Sequence, residues 1–158
     1  MTETAFASQA ETLKRQLYRT ALLYLGSEAL ALDAVDEAIF QGFRACRKLR
    51  EERYCATWLT RILINVCNAE LRRRKREVSM AELPDTAQEA FDALPLRDAV
   101  SRLPPNLRAV IILRYFNGLT LAQTAKTLDI PQGTAVTRQR RALSLLRLEL
   151  TDSEEVGT

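Results

Sequence analysis

Apolar residues return every three or four positions along most of this chain, with polar residues between them. That is the period of an α-helix laid against a core. Over 8–25, Leu13, Leu17, Ala21 and Leu22 share one side, and the spacing predicts a helix stopped by Gly26. Ser27 is placed to cap a second helix over 28–49. Its expected inward residues are Ala31, Val35, Ala38, Ile39, Phe43 and Cys46, and its outward face carries Asp33, Asp36, Glu37, Gln41 and Arg44. The polar stretch RKLREERYCAT interrupts the pattern. Thr57 can then cap a third helix, WLTRILINVCNAELRRRKR.

Between 77 and 98 the periodicity fades, and Pro84 and Pro95 appear among six acidic residues and one basic residue, Arg97. This reads as a linker with at most short helical pieces. Beyond it, LPPNLRAVIILRYFNG predicts a helix opened by Pro104-Pro105 and closed by Asn117-Gly118. Two further helices are expected over 120–128 and 132–150. The predicted fold class is all-α. Two small helical domains, 1–76 and 99–150, are joined by the acidic flexible linker 77–98, and an acidic tail, 151–158, follows.

The second domain carries a sharper pattern. Thr120 can cap a short helix with Leu121, Ala125 and Leu128 inward, and small Ala125 allows a second helix to cross closely. Asp129-Ile130-Pro131 makes the turn, with Ile130 expected to be buried at the corner, and Pro131 suits the start of a helix. Short helix, tight turn and basic second helix make a helix-turn-helix, in which the second helix enters the major groove. On that helix Ala135, Ala142 and Leu146 share the inner face, flanked by Leu143 and Leu150. Thr134, Thr137, Arg138, Arg140, Arg141 and Ser144 lie outside it. No acid occurs between Pro131 and Leu148, so this face suits base edges and phosphates.

Charge sharpens the picture. The net charge of +3 hides a segregation: 61–76 carries six basic residues against one acid, 77–98 the reverse, and 99–150 eight basic against two acidic. Two cationic islands around an anionic one suggest two contacts with a polyanion. In the third helix Arg61, Asn65, Asn68 and Arg72 form one polar stripe on an otherwise apolar surface. Asn can bond base edges, and Arg can bind phosphate or stack on bases. Trp58 at its start is expected in the core, whereas Tyr54 either packs or offers a ring to an unpaired base.

Other chemistry is thin. There is no histidine, and Cys46, Cys55 and Cys67 lack metal-binding spacing, so they read as reduced core residues of a cytoplasmic protein. No signal peptide stands out, and no apolar run approaches the roughly 18 residues that span a bilayer. No phosphate loop or nucleophile–base pair occurs, so no enzyme activity, cofactor, metal or small-molecule substrate is expected.

The stretches SEALALDAVDEAIFQGFRACRKL, WLTRILINVCNAELRRRKR and LPPNLRAVIILRYFNGLTLAQTAKTLDIPQGTAVTRQRRAL, in that order, resemble regions 2 and 4 of the extracytoplasmic-function (ECF) sigma factors, group 4 of the sigma-70 family. The resemblance covers about residues 10–148. It implies a protein that binds core RNA polymerase, directs it to promoter DNA and helps open the duplex. By motif position, Asp33, Asp36, Glu37, Phe40 and Arg44 would dock on the beta-prime clamp helices. Arg50, Arg53, Tyr54, Arg61, Asn65, Asn68 and Arg72 would contact the −10 element as a single strand. Thr134, Thr137, Arg138, Arg140 and Arg141 would read the −35 duplex, and the helix 106–116 would touch the beta flap.

The resemblance further implies an anti-sigma factor, often membrane-anchored. The acidic linker would lie along the RNA exit path as an RNA mimic, or else serve only as a solvated tether. Three positions depart from the family pattern: Asp36-Glu37 replaces the usual Gln-Glu, Gln123 replaces a Glu, and Val136 stands where a basic residue is common. A helix-turn-helix transcription regulator with a helical sensor or dimerisation domain is the alternative reading. It leaves the Arg61–Arg72 stripe and the acidic linker without a role.

Overall fold

The computed structural model describes the backbone over residues 1–80 and 95–156, and side chains over 1–76 and 98–147. The interior of the expected linker, 81–94, and the side chains of the acidic tail, 151–158, lie outside the described residues. The RNA-mimic expectation falls there. All regular structure among the described residues is helical. The chain separates into two compact units, Met1–Thr86 and Ala87–Thr158.

The first unit is built on three helices: α1 (Glu3–Leu25), α2 (Glu28–Ala45) and α3 (Cys55–Met80). The side chain of Thr2 accepts a hydrogen bond from the Ala5 amide, so α1 starts earlier than the apolar spacing indicated. Gly26 ends α1 at φ 71°, the left-handed conformation that costs a glycine least. The Ser27 hydroxyl then caps α2 through the Leu30 amide. After Ala45, α2 tightens into a 3₁₀ turn over Cys46–Lys48, short of the expected end at Leu49. Thr57 is not a cap. A 3₁₀ turn over Glu52–Tyr54 carries helical dihedrals into Cys55, so α3 has already begun when Thr57 is reached.

The core of this unit holds Phe6, Leu17, Ala21, Tyr24, Ala31, Val35, Ala38, Leu59 and Leu63. Phe43, expected inward, is 42% exposed, and Ile39 is only partly covered. The reason is Gly42. It occupies the centre of the inward face of α2, four residues beyond Ala38, and the Phe6 ring packs on its bare backbone. A Cβ at Gly42 would stand 2.6 Å from Phe6 Cζ and 3.1 Å from Leu59 Cδ1. The contact point is thus a residue with no side chain, and Phe43 is rotated outward.

The second unit contains α4 (Pro95–Arg102), α5 (Pro105–Ile111), α6 (Leu121–Leu128) and α7 (Gln132–Val156). A π-helical stretch, Ile112–Phe116, continues α5, marked by the bond from the Asn117 amide to the Ile112 carbonyl at 3.0 Å. Gly118 at φ 69° closes it. At the start of α6, Thr120 Oγ1 accepts from the Gln123 amide and Gln123 Oε1 accepts from the Thr120 amide, a complete capping box. Asp129 then adopts φ 58°, a left-handed turn that aspartate tolerates better than most side chains. The core comprises Val100, Leu103, Leu107, Val110–Leu113, Ala125, Ala135, Ala142 and Leu146. Ile130 at the corner is half-buried, as are Leu121 and Leu128, and Leu143 is exposed.

Candidate nucleic-acid and polymerase interface

In the second unit, α7 is set by its small inner residues. Ala135 and Ala142 are completely buried, with Leu146 beneath them, so α6 and α5 approach its backbone closely. This packing leaves Thr137, Arg140, Arg141 and Ser144 exposed, with Thr134 and Arg138 half-buried at the margin. Thr137 Oγ1 donates to the Gly133 carbonyl at 3.1 Å, which steers its side chain along the helix. The five residues expected at a −35 duplex therefore sit on one helix with no acidic neighbour on it between Gln132 and Arg147. α4 also packs against α7. Its C-terminal end is held by Arg108, whose Nη2 donates to the Ser101 carbonyl at 2.6 Å and the Leu103 carbonyl at 2.8 Å. Arg108 is only 8% exposed, and nothing in the apolar spacing marked it as different from a surface arginine.

In the first unit, α3 turns Leu59, Leu63, Ile64 and Cys67 into the core. Arg61, Asn65 and Arg72 are exposed along the opposite side. Asn68 differs from them. It is half-buried, and its Oδ1 accepts a 2.7 Å hydrogen bond from the Tyr24 hydroxyl on α1. In the segment leading into α3, Arg50, Arg53 and Tyr54 are all exposed. The Arg53 guanidinium lies 4.8 Å from the centre of the Tyr54 ring and forms a 2.8 Å ion pair with Glu51. Tyr54 is thus exposed with Arg53 over one side of its ring, whereas Trp58 is half-buried edge-on against Phe6, with ring centres 6.2 Å apart, as expected of a packing residue.

The outward face of α2 presents Asp33, Asp36, Glu37, Phe40 and Arg44, all exposed. Phe40 is 55% exposed, with the Arg44 guanidinium 5.6 Å from its ring centre. Between α1 and α2 runs a groove of about 430 Å³, lined by Phe6, Ala10, Lys14, Asp36, Phe40 and Phe43. The acidic row therefore borders an apolar trough. Leu32 is also exposed. An apolar Leu32 beside Asp33 was the available signal in the sequence that apolar surface adjoins the acids.

The three cysteines are buried and form no disulfide with one another. Burial pushes the Cys55 thiol above its ordinary range, and nearby Cys46 and Glu52 push the same way. Among the described residues, no group of His, Cys, Asp and Glu could hold a metal ion, and no helix is long and apolar enough to cross a membrane.

Comparison with known proteins places both units in one family. Residues 10–77 match Sigma-70 region 2, and residues 99–148 match Sigma-70, region 4. The ECF RNA polymerase sigma factor SigM of Mycobacterium tuberculosis is 30% identical over 137 residues, covering 84% of this chain and 70% of SigM. The chain belongs to the sigma-70 family. Within the family it is an ECF sigma factor. The RNA polymerase sigma factor SigV of Bacillus subtilis is 28% identical over 146 residues, covering 89% of this sigma factor and 88% of SigV.

The fold of this sigma factor is similar to that of the sigma factor RpoE from Bartonella quintana, solved with the anti-sigma factor NepR. The TM-score is 0.76 at 21% identity, covering 92% of this chain and 96% of the other. It is also similar to CnrH, solved with the cytosolic domain of CnrY, with a TM-score of 0.71 at 19% identity over 96% and 90% of the two chains. The region 2 match spans the acidic face of α2 and the α3 stripe, and the region 4 match spans the helix-turn-helix.

Proposed function

We propose that this sigma factor divides promoter recognition between its two units while core RNA polymerase carries both. The α7 face of Thr134, Thr137, Arg138, Arg140 and Arg141 reads the −35 duplex. The segment of Arg50, Arg53 and Tyr54 and the stripe of Arg61, Asn65, Asn68 and Arg72 capture the −10 element as a single strand. Asp33, Asp36, Glu37, Phe40 and Arg44 dock on the beta-prime clamp helices, and α5 with its π-helical end touches the beta flap. The observation that carries this reading is one helix per unit whose core side is small or aliphatic and whose outer side is cationic or amide-bearing.

The protein does no covalent chemistry itself and uses no cofactor. Affinity comes from neutralising phosphates and falls with salt, whereas specificity comes from a few base contacts. Opening is supported because unstacking a base costs a few kcal/mol, which stacking on Tyr54 and pocket contacts offset. The protein acts in the cytoplasm, and an anti-sigma factor, possibly membrane-anchored, covers the same faces when transcription is off. The similar sigma factor RpoE, solved with the anti-sigma factor NepR, supports that partner.

Run-off transcription with reconstituted polymerase tests the division. Arg141→Ala should weaken −35-dependent initiation about tenfold, from a lost base or phosphate contact of about 1–3 kcal/mol. Asn65→Ala should leave duplex binding at −35 intact and impair −10 capture and opening. Normal transcription by both variants overturns the assignment of faces. Binding to paired half-sites by the isolated protein, without polymerase, would favour the regulator reading instead.

A further inference from the structure

We propose that Tyr24 is a positioning residue for promoter reading, because it biases which end of the Asn68 amide faces the DNA strand. This rests on the reading of the α3 stripe as the −10 surface.

Asn68 lies on the stripe between Asn65 and Arg72, and it is half-buried and reaches back into the protein. Its Oδ1 takes the Tyr24 hydroxyl proton at 2.7 Å. Tyr24 is 1% exposed and sits on α1 among Leu22, Leu23 and Leu25, so its ring cannot swing away without disrupting the core. The Tyr24 proton favours the amide orientation that turns the oxygen toward it. The oxygen points inward to the phenol, and the Nδ2 protons are left for another partner.

An asparagine free to turn about its last torsion can present either a donor or an acceptor. It therefore accepts bases of either type at little difference in energy. With one lone pair of its oxygen taken by Tyr24, Asn68 offers its Nδ2 protons more readily than its oxygen. Whichever edge position of an unpaired base it meets, it favours a ring nitrogen or keto oxygen over an amino or imino proton. Arg61 and Arg72 flank it with permanent positive charges suited to phosphates, which leaves the neutral amides to discriminate among bases. A buried phenol in the first helix thereby sets base preference on the third.

The test uses the full chain in reconstituted holoenzyme and a single-stranded oligodeoxynucleotide library randomised across the −10 region, sequenced after capture. Wild type should show a keto-over-amino or acceptor-over-donor preference at one position, of about three- to tenfold for a single hydrogen bond. Tyr24→Phe keeps the ring packing and should flatten that one position, leaving the others unchanged. Asn68→Ala should flatten the same position, and the double variant should do no more than either alone. A Tyr24→Phe protein that melts earlier but retains every base preference overturns the proposal, because the pair would then be only a tie between helices. Flattening spread evenly over all positions overturns it as well. If Asn65→Ala and Arg61→Ala also leave capture unaltered, the −10 reading of the whole stripe fails, an outcome distinguishable from failure at Asn68 alone.

Discussion

The arginine that closes α4 gives the most direct test of how the second unit is held. Arg108 donates to the Ser101 and Leu103 carbonyls from one guanidinium nitrogen. Helix ends leave carbonyls without backbone donors. Here the chain continues into Pro104 and Pro105, neither of which has an N–H to offer. Arg108→Met keeps most of the apolar stem of the side chain but removes both bonds. A hydrogen bond to a charged group contributes about 1.5–3 kcal/mol, and an abandoned buried carbonyl costs about 1–3 kcal/mol. Relief from burying a charge offsets part of this, since a buried cation carries a desolvation penalty of several kcal/mol. The expected net loss is therefore about 2–4 kcal/mol rather than the full sum. For a domain of this size each kcal/mol moves Tm by about 4–8 °C, so a fall of at least about 10 °C is expected. Amide hydrogen exchange over 99–147, followed with temperature, reads this unit without interference from the first. Unchanged protection in Arg108→Met would refute the view that the guanidinium secures α4.

Gly42→Ala should destabilise the first unit by about 1 kcal/mol, because a gain of about 1 kcal/mol in helix propensity is outweighed by about 1–3 kcal/mol of overpacking against Phe6. The double change Gly42→Ala, Phe6→Leu should recover most of that loss in thermal denaturation, and a stabilised single variant would contradict the close approach of α1 and α2. The Cys55 thiol predicts a pH effect. Its folded pKa is raised, so its contribution is fully present below the ordinary thiol range and is lost as pH climbs through the folded value. Relative to Cys55→Ala, the native protein should lose up to about 1.4 kcal/mol per pH unit above about pH 8.5, measured by urea denaturation at pH 7, 9 and 10. Parallel curves for the two proteins would refute it.

Much of the fold was legible where side chains speak for themselves. Gly26-Ser27 and Thr120 mark helix ends through local hydrogen bonding, and the structure uses them as such. Gln123, a departure from the family's usual glutamate, still completes the capping box, since an amide oxygen can accept the same bond. What escaped the sequence was contact made by backbone. Gly42 has no side chain to count, so the apolar period was drawn through Phe43 instead. The π-helical turn after Ile111 and the left-handed Asp129 are decided by packing around them and leave no periodic trace. At the site, the outward cations of α7 were visible as an acid-free run. The bond joining Tyr24 to Asn68 was not, because 44 residues separate the partners and either alone reads as an ordinary helix residue.

The cation resting on Tyr54 has a consequence for timing. In the unengaged protein one side of that ring is already roofed by Arg53, itself tethered to Glu51. On the proposed −10 reading, a nucleobase arriving on that side displaces the roof, and the released arginine is then at hand for the backbone of the same strand. Stray single strands would meet a shuttered surface, and the shutter would lift only where enough neighbouring contacts form together.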